Sequence, residues 1–227
     1  MSRLFIAAAL AAAIATVPAA AGEHEWKVLV EQARIQVERN NLEQGERFAR
    51  EALAEAERTF GDDAPDTATT LDLLGRTLLF QWKYVEAEIV LRRALSIREK
   101  TLGRDARLTG ISYQNLANAL LRLDRMQDAS QMFREAHRVF EKTDGPNTAT
   151  VAAALDGLGS SLLAEGKFAE AEQVLLKSLE ARERVEGPTS TRAGFTLRKL
   201  VTAAEKQGRD EQAAAYQKRV AEIFGRP

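Results

Sequence analysis

From Trp26 onward, apolar residues recur at three- and four-residue intervals, the spacing of one face of an α-helix. No stretch shows the strict apolar-polar alternation of a half-buried strand, so the chain reads as all-α. The pattern comes in pairs. One helix is predicted from about Asp66 to Gln81, with Leu71, Leu74, Gly75 and Leu78 on one stripe. A second is predicted from about Tyr84 to Leu102, with Ala87, Val90, Leu91, Ala94, Leu95 and Ile97. So short a connection forces the two to run antiparallel. Gly61, Gly103, Gly145 and Gly187 stand where a left-handed residue closes a helix, and Pro65, Pro146 and Pro188 follow soon after.

The pairs repeat. Leu74-Gly75, Leu116-Ala117, Leu158-Gly159 and Leu200-Val201 lie 42 residues apart, and Ala87, Ala129, Ala171 and Ala213 keep the same step. Ala52, Ala94, Ala136 and Ser178 keep it again. Such self-similarity marks a solenoid, whose units bury their apolar faces only by stacking on one another. Five units are expected, at about 26–64, 65–105, 106–145, 146–188 and 189–224. The first and last read as end units: the first has Gly45 where later units keep alanine, and the last gathers Ala213, Tyr216, Val220 and Phe224 on one stripe with Glu211, Gln212, Lys218, Arg219 and Glu222 elsewhere, the polar outer face expected of a cap that closes a solenoid against water. Glycine inside a helix costs about 1 kcal/mol relative to alanine. A close approach of the paired helices, with Ala87 and Ala171 facing Gly75 and Gly159, is the expected compensation.

A helical hairpin with Leu-Gly in its first helix and a small residue early in its second resembles the tetratricopeptide repeat. The 42-residue step and phrases such as YVEAEIVLRRALSIREKTLG and FAEAEQVLLKSLEARERVEG resemble its longer, kinesin-light-chain type. That resemblance implies a right-handed, superhelical solenoid of about five antiparallel hairpins. It also implies a non-catalytic scaffold that binds a protein or peptide in a concave groove lined by the first helix of each hairpin. Carried onto this sequence, the lining includes Thr69, Asp72, Leu73, Arg76 and Leu79, then Ile111, Gln114, Asn115, Asn118, Leu121 and Arg122, then Ala153, Asp156, Gly157, Ser160 and Leu163. The candidate binding residues are Asp72, Arg76, Gln114, Asn115, Asn118, Arg122, Asp156 and Ser160. Carboxamides suit the role because each offers a peptide backbone both a donor and an acceptor. Only QNLA at Gln114–Ala117 approaches the Asn-Asn-Leu-Ala phrase common in that repeat type; LDLLG and LDGLG depart from it. Arg76, Arg122, Arg198 and Lys199 stand beside Asp72 and Asp156, a mixture that does not specify the charge of a ligand. The alternative is a structural or self-associating subunit that docks through its edges and Trp82.

Chemistry is sparse. There is no cysteine, two histidines (His24 and His137) and no phosphate-cradling loop, so no catalytic residue, metal site or cofactor is assigned. Thirty-two basic residues balance 33 acidic ones, which gives no reason to expect nucleic acid as a partner. Residues 1–21 stand apart: Arg3, the apolar run LFIAAALAAAIATV, Pro18 and small residues suggest a cleaved secretory leader. The run is shorter than the roughly 20 residues that span a bilayer, so a periplasmic or secreted protein without stable membrane insertion is expected, with 22–227 as the solenoid. Cleavage after Ala21 would expose Gly22-Glu23-His24, whose amine, amides and imidazole suit square-planar Cu(II) or Ni(II). Trp82 takes the turn position held by Asp124, Gly166 and Gly208 in later units. Either it stays exposed as an anchor for a partner, or, as the bulk of the indole favours, the turn rearranges and packs it away.

Overall fold

The computed structural model describes residues 19–225, so nearly all of the expected leader lies outside the described residues. Ten helices follow in order, and no strand occurs among the described residues. They are α1 (Ala19–Glu38), α2 (Leu42–Phe60), α3 (Pro65–Phe80), α4 (Tyr84–Leu102), α5 (Arg107–Arg122), α6 (Met126–Asp144), α7 (Ala149–Ala164), α8 (Phe168–Glu186), α9 (Thr191–Lys206) and α10 (Asp210–Phe224). Odd-numbered helices are the first of each hairpin, and every helix packs on its neighbours in sequence. Five hairpins therefore stack in a row, the arrangement the 42-residue step predicts.

Local chemistry sets the ends of the helices. Pro65 opens α3, where its missing N–H costs nothing. Thr148 and Ser190 cap α7 and α9 by accepting from Val151 N at 3.3 Å and Ala193 N at 3.2 Å. Gly61, Gly103, Gly145 and Gly187 close the second helices at φ of 96°, 83°, 85° and 90°, conformations that a Cβ would strain. The turn inside each hairpin is likewise constant. Asn40, Trp82, Asp124, Gly166 and Gly208 all hold a left-handed φ between 56° and 76°. The turn at Trp82 thus does not rearrange, and the indole is 78% exposed rather than packed on a neighbouring unit. The common turn geometry prevails because a change there would break the register of α3 with α4.

Gly75 and Gly159 do permit close packing, and the side chain nearest each is a leucine of the second helix. A Cβ on Gly75 would lie 2.5 Å from Leu91 Cγ, and one on Gly159 would lie 2.5 Å from Leu175 Cγ. The leucine one turn beyond each expected alanine fills the gap, because its longer side chain reaches back along the helix. Ala87 and Ala171 are still wholly buried.

A finer order runs through the stack. The pair of columns that meet between first and second helices reads Trp26 with Ala56, Ala68 with Arg98, Gly110 with Phe140, Ala152 with Arg182, and Gly194 with Phe224. Large faces small at each step. A Cβ on Gly110 would fall 2.9 Å from Phe140 Cε1, and one on Gly194 would fall 2.3 Å from Phe224 Cε2. The chain therefore alternates aromatic and ionic fillings, so its true internal period from the second unit on is two hairpins.

Candidate groove on the first helices

The curvature of the stack follows from which helices approach one another. Successive first helices touch (α1 with α3, α3 with α5, α5 with α7, α7 with α9), whereas among the described residues no two successive second helices bring their backbones together. The first helices consequently line the inner face. On the outer face, long side chains span the wider gaps, as Arg50 with Glu86 at 2.9 Å and Arg134 with Glu170 at 2.6 Å, and Arg138 of α6 reaches Asp105 in the α4–α5 connection at 2.6 Å. Each of these exposed pairs contributes up to about 1 kcal/mol.

Two adjoining hollows open on the inner face of the first three units. One is lined by α1, α3 and α5, including Val30, Arg34, Asp72, Arg76, Phe80 and Asn115. The other is lined by Arg76, Leu79, Phe80, Asn115, Asn118 and Arg122. They share Arg76, Phe80 and Asn115, so five of the expected site residues, Asp72, Arg76, Asn115, Asn118 and Arg122, are brought together here. The other three are not. Gln114 lines neither hollow. Asp156 is buried beneath α9, and Ser160 donates its hydroxyl proton to Asp156 O in its own helix at 2.8 Å.

Asp72 serves as floor rather than as a free ligand group. It is buried and pairs with Arg98, accepts from Ser112 Oγ at 3.0 Å and accepts from Asn115 Nδ2 at 3.2 Å. Arg98 also donates to Leu108 O at 2.7 Å. Burial pushes the Asp72 carboxyl above its ordinary value, while Arg98, Asn115, Ser112 and the more distant charge of Arg76 pull it back. Asp156 repeats the arrangement: it pairs with Arg182 and accepts from Ser178 Oγ at 3.0 Å and Thr196 Oγ1 at 2.8 Å. Neither aspartate therefore presents its negative charge to the groove, contrary to the mixed-charge surface expected from the sequence.

What the groove does present is cationic. Arg34, Arg76 and Arg122 have no carboxylate within 4.0 Å among the described residues, and Arg76 and Arg122 are exposed. Glu38 is the carboxylate on its rim. Sequence reasoning missed Arg34, Val30 and Val37 because the lining was carried onto the second, third and fourth units only. The signal was present, since Arg34 precedes Arg76 by one 42-residue step. Phe80 was missed as well, its exposed ring lying at the end of α3.

A family model described as tetratricopeptide repeat matches residues 27–100, 83–142 and 150–226. No curated protein matches the sequence. Among solved structures, the chain is similar to a kinesin light chain of Podospora anserina with nearly identical TPR-like repeats. The TM-score is 0.76 at 18% identity, covering 87% of this chain and 93% of the other. It is also similar to BtubC (BKLC) from P. vanneervenii, with TM-score 0.76, 21% identity, and coverage of 90% and 80%. A Rap protein complexed with Competence and Sporulation Factor gives TM-score 0.68 at 16% identity, with 88% of this chain covering 53% of that one. At these identities the likeness is one of fold.

Proposed function

The chain belongs to the tetratricopeptide repeat family, and on that premise we propose that it is a non-catalytic scaffold that binds a carboxylate-bearing segment of another protein or peptide across α1, α3 and α5. One observation carries this reading: Arg34, Arg76 and Arg122 border two adjoining hollows with no carboxylate within 4.0 Å among the described residues, while Asp72 at the floor is already neutralised by Arg98. Arginine forks bind carboxylates in two-point contacts. Asn115 and Asn118 supply donors and acceptors for the segment's backbone, and Phe80 and Ile111 supply apolar surface. The Rap protein of similar fold, solved with Competence and Sporulation Factor, lends the reading support by analogy. We place its action outside the cytoplasm, periplasmic or secreted, on the composition of residues 1–21.

The test is a panel of labelled acidic peptides, each paired with a version whose carboxylates are carboxamides. Tighter binding of the acidic member, lost in an Arg34→Glu/Arg76→Glu/Arg122→Glu variant that melts like the parent, is the expected result. Equal binding of both members, or binding that survives the triple variant, would sink the proposal.

A second reading, self-association or edge docking, has one specific feature in its favour. Trp82, Val85 and Ile89 form an exposed stripe at the start of α4. The same columns hold Asn40, Glu43 and Arg47 in the first unit and Asp124, Gln127 and Gln131 in the third. Light scattering behind size exclusion separates the readings: an oligomer that dissociates in Trp82→Asn supports the second, and a monomer leaves the groove.

A further inference from the structure

The surface that one unit offers to the next can be read from an existing seam and carried forward one step. Helix α9 seats on α7 and α8 by packing Leu197 and Leu200 against Leu175 and Leu179. Its Thr196 donates to Asp156 Oδ1 at 2.8 Å, and Lys199 Nζ donates to Asp156 O at 3.1 Å. Forty-two residues on, Asp156, Leu179 and Arg182 become Arg198, Ala221 and Phe224. These three, with Val201, Ala214 and Val220, line an open hollow on α9 and α10. The hollow is therefore the counterpart of the seat that α9 fills, and among the described residues no helix fills it.

Its chemistry is defined. Phe195 and Phe224 remain 50% and 40% exposed with ring centroids 5.5 Å apart, and Arg198 lies over the Phe224 ring at 5.3 Å. Glu205 and Gln217 replace Leu163 and Leu175 at one end and bond each other at 3.0 Å, so the rest of the seat is the apolar part. Arg198 and Lys218 are exposed and have no carboxylate within 4.0 Å among the described residues. The opposite end of the stack differs. Gln32 and Gln36 stand in α1 where Leu74 and Leu78 stand in α3, which makes that part of the first unit polar, while Leu29 keeps the column of Leu71 and Leu197.

We propose that the hollow on α9 and α10 is a docking seat for an amphipathic helix of a partner protein, with two leucines three residues apart and a carboxylate directly before the second. The leucines take the places that Leu197 and Leu200 take on α8. The carboxylate takes the place of Lys199, whose Nζ stands 4.0 Å from Asp156 Oδ1, because the residue beneath it is now Arg198 instead of Asp156, with Lys218 beside it. A second copy fits less well: its α1 brings Leu29 and Glu31 to the positions of the first leucine and the carboxylate but Gln32 to that of the second leucine.

The experiment uses the full chain and a fluorescein-labelled peptide of the α9 sequence, Thr191–Lys206, carrying Lys199→Glu, with the unaltered peptide as its control. Fluorescence anisotropy is expected to show the altered peptide binding about fivefold more tightly, the ratio that roughly 1 kcal/mol gives. Arg198→Glu in the protein is expected to reverse the order. Phe224→Lys is expected to abolish both, and Ala214→Lys serves the same purpose should Phe224→Lys loosen α10. Absence of binding by either peptide, or an order unchanged by Arg198→Glu, overturns the proposal. So does sedimentation showing that the protein dimerises and that Phe224→Lys separates the copies, which would give the seat to a second copy.

Discussion

Asp72 and Arg98 form a buried ion pair between α3 and α4, and Asp156 and Arg182 repeat it 84 residues later, while the hairpin between them has Gln114 and Phe140 in the same columns. A buried pair that loses one member leaves an uncompensated charge, at about 3–5 kcal/mol. Arg98→Met is expected to destabilise by that amount in urea titration. Importing the third unit's whole set, Ala68→Gly, Asp72→Gln, Arg98→Phe and Ser112→Ala, is expected to recover most of the loss. A quadruple variant no more stable than Arg98→Met would show that the two fillings are not interchangeable.

Gly157 of α7 lies under the Phe133 ring of α6, where an added Cβ would fall 2.3 Å from Cε1 and Cζ. Gly157→Ala is expected to cost about 1–3 kcal/mol by overpacking, although alanine is the better helix former by about 1 kcal/mol. Phe133→Leu should make room. The double variant is then expected to be more stable than the sum of the two single losses, a coupling that thermal melts of the four proteins measure.

At the α3–α4 turn, Trp82 holds φ of 66° with its indole in solvent. A left-handed conformation costs a residue of this kind about 1–2 kcal/mol, less for asparagine. Trp82→Asn is expected to raise the melting temperature while removing any docking through the Trp82, Val85 and Ile89 stripe. A lowered melting temperature would mean that the indole stabilises the fold.

The outer face can be tested by titration. Lys142 and Arg138 each reach Asp105 from α6, at 2.5 and 2.6 Å, and hold its carboxyl down at about 2. A depressed carboxylate favours the folded state above its ordinary range, and that contribution is lost as pH falls through about 2. The Asp105 resonance is expected to titrate near there and to move up in Lys142→Ala. An Asp105 that titrates near 3.8 in the parent protein would show the lacing across the outer face to be absent in solution.

Even the incorrect expectations have physical causes that single residues make clear. Gly75 announced a close approach in the sequence, but which side chain comes nearest depends on how far a leucine reaches along its helix, and Leu91 supplies the nearest atoms. Asp72 reads as a groove residue from its place in α3. Its neutralising partner Arg98 lies 26 residues away, a separation that neither the helical turn nor the 42-residue step favours.

The sequence by itself determined the helices, their pairing and their number, because periodic burial, a short turn and a left-handed closing residue act within one hairpin and repeat in register. The resemblance to the tetratricopeptide repeat then placed Arg76, Asn115, Asn118 and Arg122 on one face of the stack. Only the tertiary structure decided which charges face outward. Arg98 and Arg182, each on the second helix of the same hairpin, and burial beneath the next hairpin silence Asp72 and Asp156, while Arg34, Arg76 and Arg122 have no carboxylate within 4.0 Å among the described residues; both outcomes depend on how side chains on separate helices meet.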